Sequence, residues 1–262
     1  MYAFVHIEKT GGVTLNEALR RSFGIFHCDA EPWRGYTAMP FDADDYRRLR
    51  WIQPGLRSIA GHCVTPWGGL ESVRPDVRYY TILREPIART ASHYQYHVHL
   101  MGQQRTFEQW MELPHQRNVQ CTRIAGEPSA DAAIEMIQRK DIFVGLLEAY
   151  DECLRMLRHW MDDELQLVYE ARNAAPSQDI ARTLRDDPAS RARLEDANRE
   201  DLRLYEWVKA DWMPRQRERF DRPEEPATSP PGALSDLRLA LARLHRNLIY
   251  KPLLGLARRN AG

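Results

Sequence analysis

Lys9, Thr10, Gly11, Gly12 and Thr14 crowd into the stretch HIEKTGGVTL, between a short apolar run and a helix-like pattern. These residue types gather an anion. Backbone N–H groups at a helix start are unpaired and point outward, and glycines let a phosphate come close to the backbone. Lys9 adds a full charge, and the hydroxyls of Thr10 and Thr14 add donors. The order is not that of a nucleoside-triphosphatase loop, in which glycines precede the lysine.

A second stretch, LREPIARTASHY, repeats the plan with Arg84 at a strand end, Pro86 at a helix start and Ser92 two turns on. Arg84 can fork onto a phosphate, with Ser92 completing the contact. No aspartate follows at Arg84 to hold Mg²⁺, which argues against a metal-dependent kinase. Two anion sites at two strand ends imply a ligand phosphorylated in two places. No Cys/His cluster with metal-ligand spacing is present, so no metal is expected.

The elements that must position these residues alternate. Tyr2–Ile7, Ser58–Ala60, Arg78–Leu83, DIFVGL at 141–146 and LQLVYE at 165–170 read as buried strands. Helical patterns cover Thr14–Phe23, Ile87–His99, 131–140 and 149–163. This alternation indicates an α/β fold, a three-layer sandwich around a central parallel sheet, with ligands at the carboxyl ends of the strands.

Together the two stretches resemble the sulfotransferases that use 3′-phosphoadenosine 5′-phosphosulfate (PAPS). The branch they resemble contains heparan sulfate 2-O-sulfotransferase and its bacterial relatives. That family carries K-T-G-G/A-T-[ST] after its first strand and L-R-[DE]-P-x-x-R-x-x-S-x-Y later. Shorter echoes are IAGH at 59–62, NVQCTRIAG at 118–126, FVGLLEAYDECLRML at 143–157, EARN at 170–173 and LRLYEWV at 202–208. The resemblance implies a P-loop-like fold, with PAPS held by Lys9, Thr10, Gly11, Gly12, Val13 and Thr14 at its 5′ end and by Arg84 and Ser92 at its 3′-phosphate. It implies two catalytic residues: Lys9 at the leaving oxygen and His62 as the base that deprotonates an acceptor hydroxyl. Acceptor contacts would come from Asn118, Gln120 and Arg123, with His97 and Arg172 as further candidates. A capped helix start is the alternative at 118–123. Glu8 stands where the family favours proline, and Val13 where it favours a hydroxyl. Such an acid must point away from the ligand or pair with an arginine.

The 262 residues suit one good-sized domain, and 37 basic against 37 acidic residues give no bulk attraction for nucleic acid. Cys28, Cys63, Cys121 and Cys153 make no motif and read as buried thiols. A hydrolase built on Cys63 beside His62 is disfavoured, because neighbours on a strand face opposite ways. The expected organisation is a PAPS-binding domain over 1–221, a proline-rich linker over 222–232 and an amphipathic basic helix over 233–262. That helix carries Leu234, Leu237, Leu241, Leu244 and Leu248, punctuated by Arg238, Arg243, Arg246 and Lys251, with a break expected at Pro252. Two readings of it stand: packing on its own domain or a second subunit, and lying on a membrane surface. Without a leader or a long apolar run, a cytoplasmic bacterial enzyme acting on a carbohydrate or glycolipid is expected. Two other classes stay open: a kinase-like phosphate enzyme, and a silent nucleotide-binding protein.

Overall fold

The computed structural model describes residues 1–33, 39–102, 104–167, 179–222 and 232–259. Five parallel strands form one sheet in the order β2-β3-β1-β4-β5: β1 Tyr2–Val5, β2 His27–Asp29, β3 Ser58–Gly61, β4 Arg78–Leu83 and β5 Phe143–Leu146. Register is continuous across the middle. Phe4 sits opposite Ala60 on one side and Tyr80 on the other. Strands β1 and β5 are buried along their whole length, as a parallel sheet covered on both faces requires.

The connecting helices are α1 Gly12–Phe23, α2 Ala43–Ile52, α3 Pro86–Leu100, α4 Phe107–Met111, α5 Val119–Ala125, α6 Ala130–Arg139 and α7 Tyr150–Trp160. After them come α8 Asp179–Asp186, α9 Pro188–Ala197, α10 Arg199–Trp207, α11 Met213–Phe220, α12 Ala233–His245 and α13 Lys251–Arg259. The expected strands at 2–7, 58–60, 78–83 and 141–146 are all present, with ends shifted by a few residues at most. Edge strand β2 has only three residues, too few to show a period. Leu165–Leu167 is not in a strand, although Leu165 and Leu167 are buried; Val168–Glu170 lies outside the described residues. All four cysteines are free and buried.

The helix at the C-terminus does not break at Pro252. A π-helical turn over Arg246–Tyr250 precedes it, and another over Val208–Trp212 precedes Pro214. Widening the turn before a proline relieves the clash of its ring with the carbonyl one turn back. The helix packs on its own domain: Leu239, Ala242, Tyr250 and Leu254 are buried, the last two in the main core. Tyr250 Oη accepts from the Glu31 N–H at 2.9 Å and donates to the Glu31 carbonyl at 3.2 Å.

Candidate active site

Chain order and sheet order differ, and the difference makes the site. The chain leaves central β1 through α1 toward β2, and leaves its neighbour β4 through α3 toward the other edge. Such a reversal opens a crevice at the carboxyl ends of the strands. Lys9 follows β1, Arg84 follows β4 and His62 follows β3, so the three come from adjacent strands with Lys9 in the middle. Arg84 Nη1 donates to the Lys9 carbonyl at 3.2 Å.

Lys9 holds a left-handed backbone, φ 69°, and its Nζ lies 4.5 Å from the centre of the Tyr96 ring. Burial and then the Arg84 charge push its pKa below the usual lysine value. Gly11 is the N-cap of α1 at φ 83°, where a side chain would be strained; its added Cβ would also lie 2.8 Å from Leu147 Cδ1. Gly12 is required for a reason other than ligand approach: a Cβ there would sit 2.1 Å from the His6 ring. The start of α1 has no side-chain cap, as at α5, α7 and α11, whereas α2, α3, α4, α6 and α9 are capped by Asp42, Glu85, Thr106, Ser129 and Asp187. Val13 is half exposed and Thr14 buried. Thr10 is wholly buried and its hydroxyl donates to the Ile7 carbonyl at 3.0 Å, so its hydroxyl proton shapes the turn.

His62 Nδ1 donates to the His6 carbonyl at 2.7 Å. A carbonyl can only accept, so the neutral ring carries its lone pair on Nε2. The ring stacks on His6 with centroids 4.3 Å apart. Glu8 Oε1 lies 3.6 Å from His62 Nδ1 and accepts from Arg123 Nη2 at 2.6 Å. Burial raises the Glu8 pKa, but Arg123 and His62 outweigh it and hold the carboxyl at about 2. The acid before Lys9 is thus neutralised by an arginine, one of the two arrangements expected of it. Burial, then the His62 charge, lowers the His6 pKa to about 3. Cys63 is no nucleophile: its thiol is buried, donates to the Ala30 carbonyl at 3.1 Å and has its pKa pushed up to about 12 by burial.

The segment at 118–123 supports the site from behind. Asn118 Oδ1 accepts from the N–H groups of Glu200 and Asp201, and so caps the start of α10. Gln120 is fully buried, and its amide closes a reciprocal pair with the Arg84 backbone, accepting from its N–H and donating to its carbonyl, both at 3.0 Å. Arg123 Nη1 donates to the His62 carbonyl at 3.0 Å. Two of these three residues thus fix Arg84 and His62, and the third anchors a helix.

Glu85 also modifies the reading of the second stretch. Its carboxylate accepts from the N–H groups of Ile87 and Ala88, so the start of α3 is already filled. The side chains of Arg84 and Ser92 are both partly exposed. Arg89 of the same motif is wholly buried and donates to Thr90 Oγ1. His97 lies further along α3, shares a 3.1 Å Nε2–Nε2 hydrogen bond with His93, and lines an open cleft of about 530 Å³ with Met101, Arg105 and Gln109. Arg172 lies outside the described residues. His6 was invisible as a site residue in the sequence, because an alternating histidine in a strand carries no signal of its own.

No family model matches the chain, and no curated protein matches it. Among solved structures it is similar to a crystal structure of a sulfotransferase from Alicyclobacillus acidocaldarius. The identity is 15% and the TM-score 0.39, over 78% of this chain and 98% of that one.

Proposed function

We propose that the chain moves the sulfuryl group of PAPS to an acceptor hydroxyl, on a carbohydrate or glycolipid. The observation that carries this reading is the convergence of Lys9, Arg84 and His62 at the carboxyl ends of three adjacent strands, beside the uncapped start of α1. The residues fit a doubly phosphorylated nucleotide. The start of α1, which no side chain caps, and Lys9 suit its 5′ end, and Arg84 with Ser92 suits a second phosphate. When bound, the donor supplies the sulfuryl group and departs as the bisphosphate. His62 Nε2 takes the acceptor proton as the new O–S bond forms. Lys9 neutralises the charge left on the phosphate oxygen as the old O–S bond breaks. The motif resemblance to the heparan sulfate 2-O-sulfotransferase branch favours a sugar acceptor.

Calorimetry tests the reading with 3′,5′-phosphoadenosine and 5′-AMP in metal-free buffer, and with ATP plus Mg²⁺. Tight binding of the bisphosphate alone is expected, followed by transfer of labelled sulfate from PAPS to an acceptor mixture. Equal affinity for bisphosphate and AMP removes the reading, and a preference for ATP with Mg²⁺ turns it to a kinase.

A further inference from the structure

The leucines of the C-terminal helix face the wrong way for core packing. Leu234, Leu237, Leu241, Leu244 and Leu248 recur at steps of three and four, forming one stripe, and are 42% to 67% exposed. The buried residues Ser235, Leu239 and Ala242 form the opposite stripe. Ion pairs fix that inner face: Arg21 holds Asp236, Arg243 reaches Glu17 at 3.6 Å, and Arg246 reaches Asp29 at 2.6 Å. The helix is thereby bolted to α1 and β2 with its apolar ridge outward. Ile25 and Phe26, also exposed, lie in the 3₁₀ turn Gly24–Phe26 that packs beside it.

We propose that this ridge docks on an anionic lipid surface. Charge selects that occupant. Between Ala233 and Arg259 the sequence has six Arg or Lys and one acid, Asp236, which Arg21 already neutralises. Arg238 and Lys251 make no ion pair among the described residues. Pairing two copies through the ridge would bring these cations together with only Asp236, already paired with Arg21, as an acid on the facing helix. Acidic headgroups supply the missing charge, and the leucines enter the headgroup–acyl boundary. No helix among the described residues is long and apolar enough to cross a membrane, so the contact is peripheral. The pairs from Arg21–Asp236 through Arg243–Glu17 to Tyr250–Glu31 show the helix running antiparallel to α1, toward the sheet end that bears Lys9 and His62. The bound membrane therefore lies along the flank that leads to the site.

The test is co-sedimentation of the full chain with vesicles of phosphatidylcholine alone and of phosphatidylcholine mixed with phosphatidylglycerol, at rising salt. Neither a sulfate donor nor an acceptor is needed. Binding to the anionic vesicles, weakening as salt rises, is expected. The triple variant Leu237→Gln, Leu241→Gln, Leu244→Gln should bind at least about tenfold less with an unchanged melting temperature. The pair Arg238→Gln, Lys251→Gln should lose most of the salt dependence, which keeps the test decisive if the leucine variant misfolds. Absence of binding to anionic vesicles overturns the proposal. So does a wild-type dimer that the leucine variant dissolves without any vesicle binding, which assigns the ridge to a second copy.

Discussion

Arg123 joins His62 to Glu8. One of its terminal nitrogens donates to the His62 carbonyl at 3.0 Å, and the other to Glu8 Oε1 at 2.6 Å. With the 2.7 Å bond from His62 Nδ1 to the His6 carbonyl, this fixes both the backbone and the ring of the proposed base. Nε2 is the nitrogen left to take a proton. His62→Ala is expected to lower sulfuryl transfer by roughly 10²–10⁴-fold, the usual worth of a positioned base. Its affinity for 3′,5′-phosphoadenosine should stay near that of the wild type. Steady-state rates and calorimetry on the same preparation check this, and a variant that keeps its rate moves the base elsewhere.

The same arginine has a second duty. A carboxylate next to a phosphate site repels the ligand unless its charge is matched, and Arg123 matches Glu8. Arg123→Met should weaken nucleotide binding by about tenfold, equivalent to about 1.4 kcal/mol. Adding Glu8→Gln should restore most of that loss, because the uncompensated charge is then gone. A double variant as weak as the single one would show that Arg123 acts on the ligand directly.

The part of this site written in the sequence is the part that lies on short-range patterns. Lys9, Arg84 and His62 each follow a run of β-type residues, and a strand end followed by a helix start is visible within about a dozen positions. The supports are not. Gln120 binds the backbone of Arg84, 36 positions away, and Asn118 caps a helix about 80 positions on. Nothing local to either amide announces its partner. The leucine stripe of the tail shows the same limit. Its period established a helix, but burial was decided by Tyr250, Leu254 and three ion pairs to the core, none of which the stripe contains.

Acid should expose the histidine beneath the site. Burial depresses the His6 pKa from 6.5 to about 3, so the folded chain resists a proton that the unfolded chain accepts below 6.5. The stability tied to His6 is thus present above 6.5 and is lost as pH falls toward 3, at up to about 1.4 kcal/mol per pH unit. His27 and His93 are depressed by burial as well and add slope of the same sign. Glu8, held at about 2, contributes only below its ordinary 4.5. Burial raises the Asp45 and Asp201 carboxyls, which adds slope of the opposite sign, so the His6 contribution is read from the difference between wild type and variant in the window between 6.5 and 4.5. His6→Gln should flatten the stability–pH slope there by about one proton, measured by urea unfolding at several pH values. An unchanged slope would mean that His6 protonates freely in the folded state.

The C-terminal helix should behave as part of the fold. Tyr250 is 1% exposed, Leu254 is 3% exposed, and the Tyr250 hydroxyl satisfies both backbone groups of Glu31 just beyond the end of β2. Tyr250→Phe leaves those groups without their partner and should cost about 1–3 kcal/mol. Removing residues 232–262 strips both side chains from the main core and leaves Glu17, Arg21 and Asp29 without their tail partners. The shortened chain should melt well below the full one or fail to fold. Leu241→Gln, on the outer ridge, should change stability by no more than about 0.5 kcal/mol. Thermal melts of the three variants separate the two faces of the helix: if the shortened chain melts like the full one, the inner face contributes nothing, and the tail is an appendage.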